Sequence, residues 1–513
     1  MAIDDPAQRT DPSDRTPDTT APASPDPAPD TTAPTANTAP TSLWGALRPL
    51  VLRLHFYAGL LIAPLLLVAA TTGFLYSLSY QAEKVIYRHE LRAPVGDRTV
   101  PLSDQLDAAR TAHPEGTVTS VRLPSEEGAT TRVLMSTPDS EEFTSLAVFV
   151  DPYTAEVRGA LTSYGSSGAL PVRAWLSETH RHLQLGEPGR LYSELAASWL
   201  WVVALGGLLL WTARKRASKR ALVVPERGAT GRRRTLSLHG SFGMVAVTGL
   251  VLLSATGLTW SAYAGGNITA IKDQLGSATP AVSATLDSDS DSGTGTGGTG
   301  SDTGGAHEGH ESMEDMPGME GMEGMHGKGG TDVGVDLAVV AARQAGLDGP
   351  IAVTLPTTGK GYVVAQTDNQ FPARLDSVSV DPANGMVMDE LRFADYPVLA
   401  QLTRIGIDAH MGLFLGLPNQ LLLAALALAL ILLIVWGYRM WWLRRPTRER
   451  RLSAGRPVPR GAWRKVPLRL LLPLGAVTAL IGWFLPLLGI SLLVFLALDG
   501  ALGLRARARA ART

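Results

Sequence analysis

Runs of about 20 predominantly apolar residues recur along this chain, and each is long enough to cross ~30 Å of hydrocarbon as a helix. Four read clearly as spans, at about 50–78, 191–212, 240–263 and 419–440. A fifth apolar block, 467–504, is interrupted at Pro486 and has the length of two short spans, so it is expected to form a hairpin. The expected fold class is therefore a mostly α membrane protein with about six transmembrane helices.

Charge orients the spans. The formal net charge of -1 says little, because the charges are sorted by region. The segment between the second and third spans carries Arg214, Lys215, Arg216, Lys219, Arg220, Arg227, Arg232, Arg233 and Arg234 against a single Glu226. The segment from Arg439 to Arg469 is equally basic, and the chain ends in Arg505, Arg507, Arg509 and Arg512. The long segments 80–190 and 264–410 are acidic or mixed. Basic segments stay cytoplasmic, so the two long ones are expected outside a cytoplasmic or inner membrane, with both termini inside.

These readings divide the chain as follows. Residues 1–44 form a cytoplasmic tail whose Pro, Thr, Ala and Asp cannot bury a core. Spans are expected at 45–80, 191–213, 239–263, 411–440 and, as a hairpin, 467–504. The outside regions are 81–190, a flexible Gly/Met/His-rich insert at 264–332, and 333–410. Basic cytoplasmic segments fill 214–238, 441–466 and 505–513.

The outside regions read as two small α+β domains. In the first, Leu102–His113 is expected as a helix, with strands at Val118–Leu123, Thr131–Ser136 and Leu146–Val150, and a further strand after an Asp-Pro turn. In the second, the helix is Asp336–Ala345 and the strands are Ile351–Leu355, Gly361–Gln366 and Leu375–Val380. Each domain is about 60 residues, marginal by itself, so docking onto the spans or onto each other is expected.

A tandem repeat underlies this layout. Leu54-His55-x-x-x-Gly59 with Thr72-Gly73 recurs as Leu238-His239-x-x-x-Gly243 with Thr256-Gly257, an offset of 184 residues. Val150-Asp151-Pro152, His180, Leu185-Gly186-x-Pro188 and Trp211 recur as Val380-Asp381-Pro382, His410, Leu415-Gly416-x-Pro418 and Trp441, an offset of 230. The insert around 276–331 supplies the difference. Each unit is a helix, an outside domain and a returning helix.

The repeat delivers two histidines per membrane face. His55 and His239 lie at cytoplasmic starts of spans, and His180 and His410 just beyond the outer ends, each on a short helix preceding its span. Histidine near a span is costly and usually functional. Two per face is what two bis-histidine haems require, with His55 paired to His239 and His180 to His410 by sidedness. Gly59 and Gly243, one turn after their histidines, would leave room for a porphyrin. The plain alternative is that each histidine caps a helix, anchors at the interface or bonds a carbonyl. His182 rivals His180, but the matched interval to Gly186 and Pro188 favours His180; His89 and His113 lack counterparts and read as surface residues. With no cysteine, covalent haem attachment, iron–sulfur clusters, thiolate zinc sites and disulfides are excluded.

The insert holds Met313, Met316, Met319, Met322 and Met325, with His307, His310 and His326 nearby. Thioether sulfur suits Cu(I) and imidazole accepts copper in either state, so copper binding is expected here. Low-complexity drift in a linker is the plain alternative.

These motifs together resemble the PepSY-associated transmembrane helix family, some of whose members are inner-membrane ferric-siderophore reductases. The resemblance rests on Arg53-Leu54-His55-Phe56-Tyr57-Ala58-Gly59 with Thr72-Gly73, and on His180-Arg181 with Leu185-Gly186-Glu187-Pro188-Gly189-Arg190. Leu238-His239 with Ala255-Thr256-Gly257, and His410-Met411-Gly412, complete it. It covers about 45–500 apart from the insert. It implies that the outside domains are PepSY domains at about 97–160 and 333–393, that the four histidines hold two non-covalent haem b groups, and that a metal outside is reduced with electrons from within. The Met/His insert departs from that pattern and makes cupric ion as serious a substrate as ferric.

The expected function is thus a membrane di-haem electron-transfer protein, an oxidoreductase acting on ferric (siderophore) or cupric ion. No nucleotide-binding glycine motif is present, so the electron donor is expected to be a quinol or a separate redox protein. The alternative is a non-enzymatic PepSY membrane protein that binds copper or regulates a peptidase or other partner. Nucleic acid is not an expected partner, because topology accounts for the basic segments.

Overall fold

The computed structural model describes residues 43–141, 143–214, 219–286, 332–371, 373–444 and 466–512. Helix α1 (Leu43–Leu61) gives way at Ile62 to α2 (Ala63–Ile86) and a short α3 (Arg88–Leu91). Then come α4 (Leu102–Ala112), strands β1 (Thr117–Arg122), β2 (Thr131–Ser136), β3 (Thr144–Val150) and β4 (Val157–Tyr164), and α5 (Pro171–His182), α6 (Glu187–Thr212), α7 (Gly231–Leu258) and α8 (Tyr263–Gln274). The second half runs α9 (Val335–Gln344), β5 (Ile351–Thr354), β6 (Tyr362–Gln366), β7 (Ser377–Val380), β8 (Val387–Leu391), α10 (Val398–Met411) and α11 (Leu417–Trp442). A hairpin of α12 (Leu468–Phe484) and α13 (Pro486–Ala510) follows.

The protein is mostly helical, and five of its described helices are long and apolar enough to cross a membrane: α2, α6, α7, α11 and α13. Helix α12 is equally apolar but has 17 residues, about 26 Å of rise. It packs on α13 at a small-residue contact, where a Cβ added to Gly489 would lie 2.3 Å from the carbonyl oxygen of Gly482.

The first expected span differs from a straight helix, and proline explains the difference. Pro64 has no N–H to give the Leu60 carbonyl four residues back, and its ring crowds that carbonyl. The helix breaks at Ile62, and the Leu60 oxygen instead accepts the Tyr438 hydroxyl of α11 at 2.9 Å. Other boundaries move as well. Helix α7 begins eight residues before the expected span. Part of the expected insert is ordered: α8 forms, and the Gly361 N–H donates to the Ala284 carbonyl at 2.8 Å.

Helices α1, α2, α6, α7 and α11 share one apolar core, in which Ala58, Leu66, Ala196, Trp199, Leu200, Ala246, Leu250 and Leu433 are buried. Fully buried Glu194 of α6 accepts the Tyr263 and Ala264 N–H groups, both at 3.0 Å, satisfying the exposed donors at the start of α8.

Outside the bundle the two expected α+β domains merge into one antiparallel sheet of order β4-β3-β2-β1-β5-β6-β7-β8. Each repeat contributes a four-stranded meander, and the meanders join where β1 pairs with β5 through Ser120–Thr354, Val121–Val353 and Arg122–Ala352. A lone meander would leave that edge's N–H and C=O groups unpaired, and joining satisfies both edges. Helices α4 and α9 cover one face over a common core of Leu106, Ala109, Val121, Val133, Val148, Ala338, Ala342, Val353, Val364 and Val378. The second half also caps the first: Asp336 of α9 accepts the Leu102 and Ser103 N–H groups of α4 at 2.7 and 3.0 Å.

Candidate functional site

Each repeated histidine is set by a residue four or fewer positions from a glycine on a facing helix. His55 of α1 meets α6 where Gly207 stands; a Cβ there would lie 2.9 Å from the His55 Cε1. The imidazole therefore reaches the helix backbone, and its Nδ1 lies 2.9 Å from the Val203 carbonyl oxygen. His239 of α7 repeats this on α11, with Nδ1 3.0 Å from the Leu433 carbonyl and Gly437 beside the ring. Val203 and Leu433, like Gly207 and Gly437, are 230 residues apart, the offset of the repeat.

At the sheet end the supports are hydroxyls. His180 of α5 places Nδ1 3.0 Å from Thr72 Oγ1, with Gly73 under the ring. His410 of α10 places Nδ1 2.7 Å from Thr256 Oγ1, with Gly257 under the ring. The repeated Thr-Gly pair thus acquires a role that spacing alone did not reveal: the hydroxyl receives the imidazole proton and the missing side chain admits the ring.

The four imidazoles meet in two pairs. The ring centres of His55 and His239 are 6.2 Å apart at an interplanar angle of 76°. Those of His180 and His410 are 6.5 Å apart at 55°, with the Trp260 ring 5.4 Å from His410. His239 and Gly257, which sits under His410, lie 18 residues apart on α7, about 27 Å of helix, so the pairs occupy opposite ends of the bundle.

The tautomer follows from the partners. A carbonyl only accepts, so Nδ1 of His55 and His239 carries the proton. Thr72 gives its hydroxyl proton to the Val68 carbonyl at 2.9 Å and Thr256 to that of Leu252 at 2.8 Å, so each accepts from its histidine. In each neutral ring Nε2 is then the nitrogen with the lone pair, the arrangement in which an outer partner orients a metal ligand. Helices α5 and α10 are not among the five spans. Burial lowers the pKa of His180 below the ordinary histidine value and pushes His410 down to about 3, with neighbouring His180 adding to the effect; both stay neutral, as coordination requires.

The spacing of each pair suits two imidazoles sharing one iron. Two nitrogens at about 2 Å from a metal, each about 1 Å from its ring centre, separate the centres by about 6 Å. A bare ion would want more protein ligands, and among the described residues no group of three or more His, Cys, Asp or Glu gathers to hold one; a porphyrin brings four nitrogens of its own. Gly59, expected to leave room for a macrocycle, has nothing within 4 Å of an added Cβ, and Gly243 meets only Leu433 at 3.7 Å.

A family model described as the PepSY-associated TM region matches residues 52–444. The chain belongs to the PepSY-associated transmembrane family. The match takes in all four paired histidines and both halves of the sheet, and leaves the α12–α13 hairpin outside. A search of curated proteins finds no significant match.

The other histidines of this PepSY-associated protein lie apart from the pairs. His182 has a buried Nδ1 without a hydrogen-bond partner among the described residues, and burial and Arg181 lower its pKa. His89 lies at the surface against Arg158, and His113 bonds Glu115 at 3.0 Å. Met313, Met316, Met319, Met322, Met325, His307, His310 and His326 fall outside the described residues.

Proposed function

We propose that this PepSY-associated protein is a di-haem electron carrier that crosses the cell membrane and reduces ferric or cupric ion, free or chelated, on its outer face. The observation that carries this reading is the recurrence, at both ends of one bundle, of two imidazoles with ring centres 6.2 and 6.5 Å apart and Nδ1 already bonded. His55 and His239 would hold one haem b, and His180 and His410 the other. Bound there, haem supplies one-electron chemistry between ferric and ferrous iron without ligand exchange.

The chain's own residues do the rest. The Val203 and Leu433 carbonyls, with Thr72 and Thr256, hold the proton at Nδ1 and so present Nε2 as the coordinating atom. The apolar core around Trp199 and Leu250 keeps water from the region between the pairs. The Arg-rich segments after α6 and α11, and the Arg-rich end of α13, favour an orientation with the His55–His239 pair and both termini on the cytoplasmic side and the sheet outside. The donor would be a quinol or a separate redox protein. The acceptor would bind near the His180–His410 pair, which lies under the sheet.

The Met/His insert favours a second reading, in which the outer face captures copper through thioether and imidazole ligands. A non-enzymatic PepSY protein that binds copper or regulates a peptidase would share the insert but have no need of haem. Pyridine haemochrome quantitation of detergent-purified protein separates the readings. Two haems b per chain, with sharp reduced α-bands, are expected; a colourless preparation overturns the electron-transfer reading.

A further inference from the structure

The two imidazole pairs differ in one respect that the repeat did not have to allow. At the inner pair both Nδ1 protons go to backbone amide carbonyls, of Val203 and Leu433. At the outer pair both meet alcohol oxygens, of Thr72 and Thr256, with the Ala69 carbonyl as a second neighbour of His180 and none, among the described residues, at His410. An amide carbonyl is the stronger acceptor. It draws the Nδ1 proton further, makes the ring a more electron-rich ligand, and so favours ferric iron; second-layer hydrogen bonding is one of the protein's means of setting a haem potential.

We propose that Thr72 and Thr256 make the outer pair the more oxidising of the two redox centres, by replacing the carbonyl acceptors of the inner pair with hydroxyls. The inference rests on the haem reading above. Each inner ring has a carbonyl partner and each outer ring a hydroxyl, so the two contributions at each end have the same sign. The difference is largest at His410, where among the described residues no carbonyl joins the hydroxyl. The hydroxyls are also held in place: each commits its own proton to a carbonyl of its helix, leaving only lone pairs to face the imidazole. Among the described residues no charged side chain bonds any of the four rings. Ion pairs on the same helices include Arg53 with Asp499 toward the inner pair, and Arg173 with Glu83 and Arg404 with Asp408 toward the outer, while Arg181 next to His180 lies over the Tyr164 ring. With this order of potentials, electron flow toward the sheet is downhill.

The test is a spectroelectrochemical titration of the purified full chain. His55→Ala should keep only the outer centre and titrate at the higher potential; His180→Ala should keep only the inner centre and titrate lower. In the His55→Ala background, Thr72→Val removes the acceptor at nearly constant volume. It should raise the remaining potential further and weaken haem retention about 10–100-fold, while Thr72→Ser restores both. Two-haem protein in which the His55→Ala form titrates at or below the His180→Ala form overturns the inference and leaves the haem reading standing. A colourless wild-type preparation overturns both. Should Thr72→Val fail to fold, the comparison of the two histidine variants still decides.

Discussion

The two ends of the bundle solve the same problem with different materials. The His55–His239 pair is built wholly from long helices: α1 and α7 supply the rings, and α6 and α11 supply carbonyls and glycines. The His180–His410 pair hangs on α5 and α10, short helices that link the sheet to the bundle and pack on α2, α6 and α7. Helix α5 is tied to α2 by a buried ion pair, Arg173 to Glu83 at 2.9 Å, and Glu83 also accepts the Leu170 N–H at 2.9 Å. Helix α10 is tied to the sheet by Arg404, which bonds Asn369 at 2.9 Å, and the Phe371 N–H donates to the Phe414 carbonyl at 2.7 Å. One site is thus a property of the membrane bundle alone. The other lies on the connections between the bundle and the sheet, so it also depends on how the sheet is held.

Five substitutions and one deletion probe that difference. The largest effect is expected from the ligands: His239→Ala should remove about half the haem and leave the sheet-end centre, and His180→Ala the reverse, as read by haemochrome. Equal and complete loss in both would mean that the ends are not independent. Glu83→Ala leaves the Arg173 guanidinium buried without its carboxylate, at a cost of about 3–5 kcal/mol. Absorbance should fall at the His180–His410 centre and not at the other; equal losses would mean that docking supports both ends. Deletion of residues 306–327 should leave the haem spectrum intact and weaken copper binding in a competition titration, and unchanged copper affinity would retire the copper role. Asp336→Ala removes the cap that one half of the sheet provides to the other and should cost about 1 kcal/mol in thermal unfolding, with no spectral change. Smallest of all, His182→Ala should change haem content little, since His182 belongs to neither pair; a loss matching that of His180→Ala would reassign the outer ligand.

Much of the architecture was readable before any coordinates. Hydrophobic runs found the spans, and alternation found β2 at Thr131–Ser136 and placed the other strands within a few residues. The repeat offset marked all four paired histidines, and the Leu-Gly-x-Pro repeat marked a real constraint. Gly186 and Gly416 open α6 and α11 at φ of 61° and 59° with ψ near -137° and -131°, a conformation almost confined to glycine, and proline follows in the first turn. The break at Ile62 was also written in the chain, as Pro64, but a proline near the start of an apolar run reads equally well as a helix beginning. The joining of the meanders was not readable, because any unpaired edge strand advertises the same backbone groups to every possible partner.

Sequence by itself determined the local and periodic features: which segments suit lipid, which suit a half-buried sheet, and which histidines recur at matching intervals. These follow from side-chain chemistry and from spacing along one helix or strand, quantities a linear string contains. Only the tertiary structure decided what receives each Nδ1 proton. Backbone carbonyls have no letter in a sequence, and a threonine 108 residues from His180 becomes its partner only when α2 and α5 pack together. The distinction between the two ends of this protein therefore came from packing, since it depends on which atoms of different helices lie within 3 Å of each other.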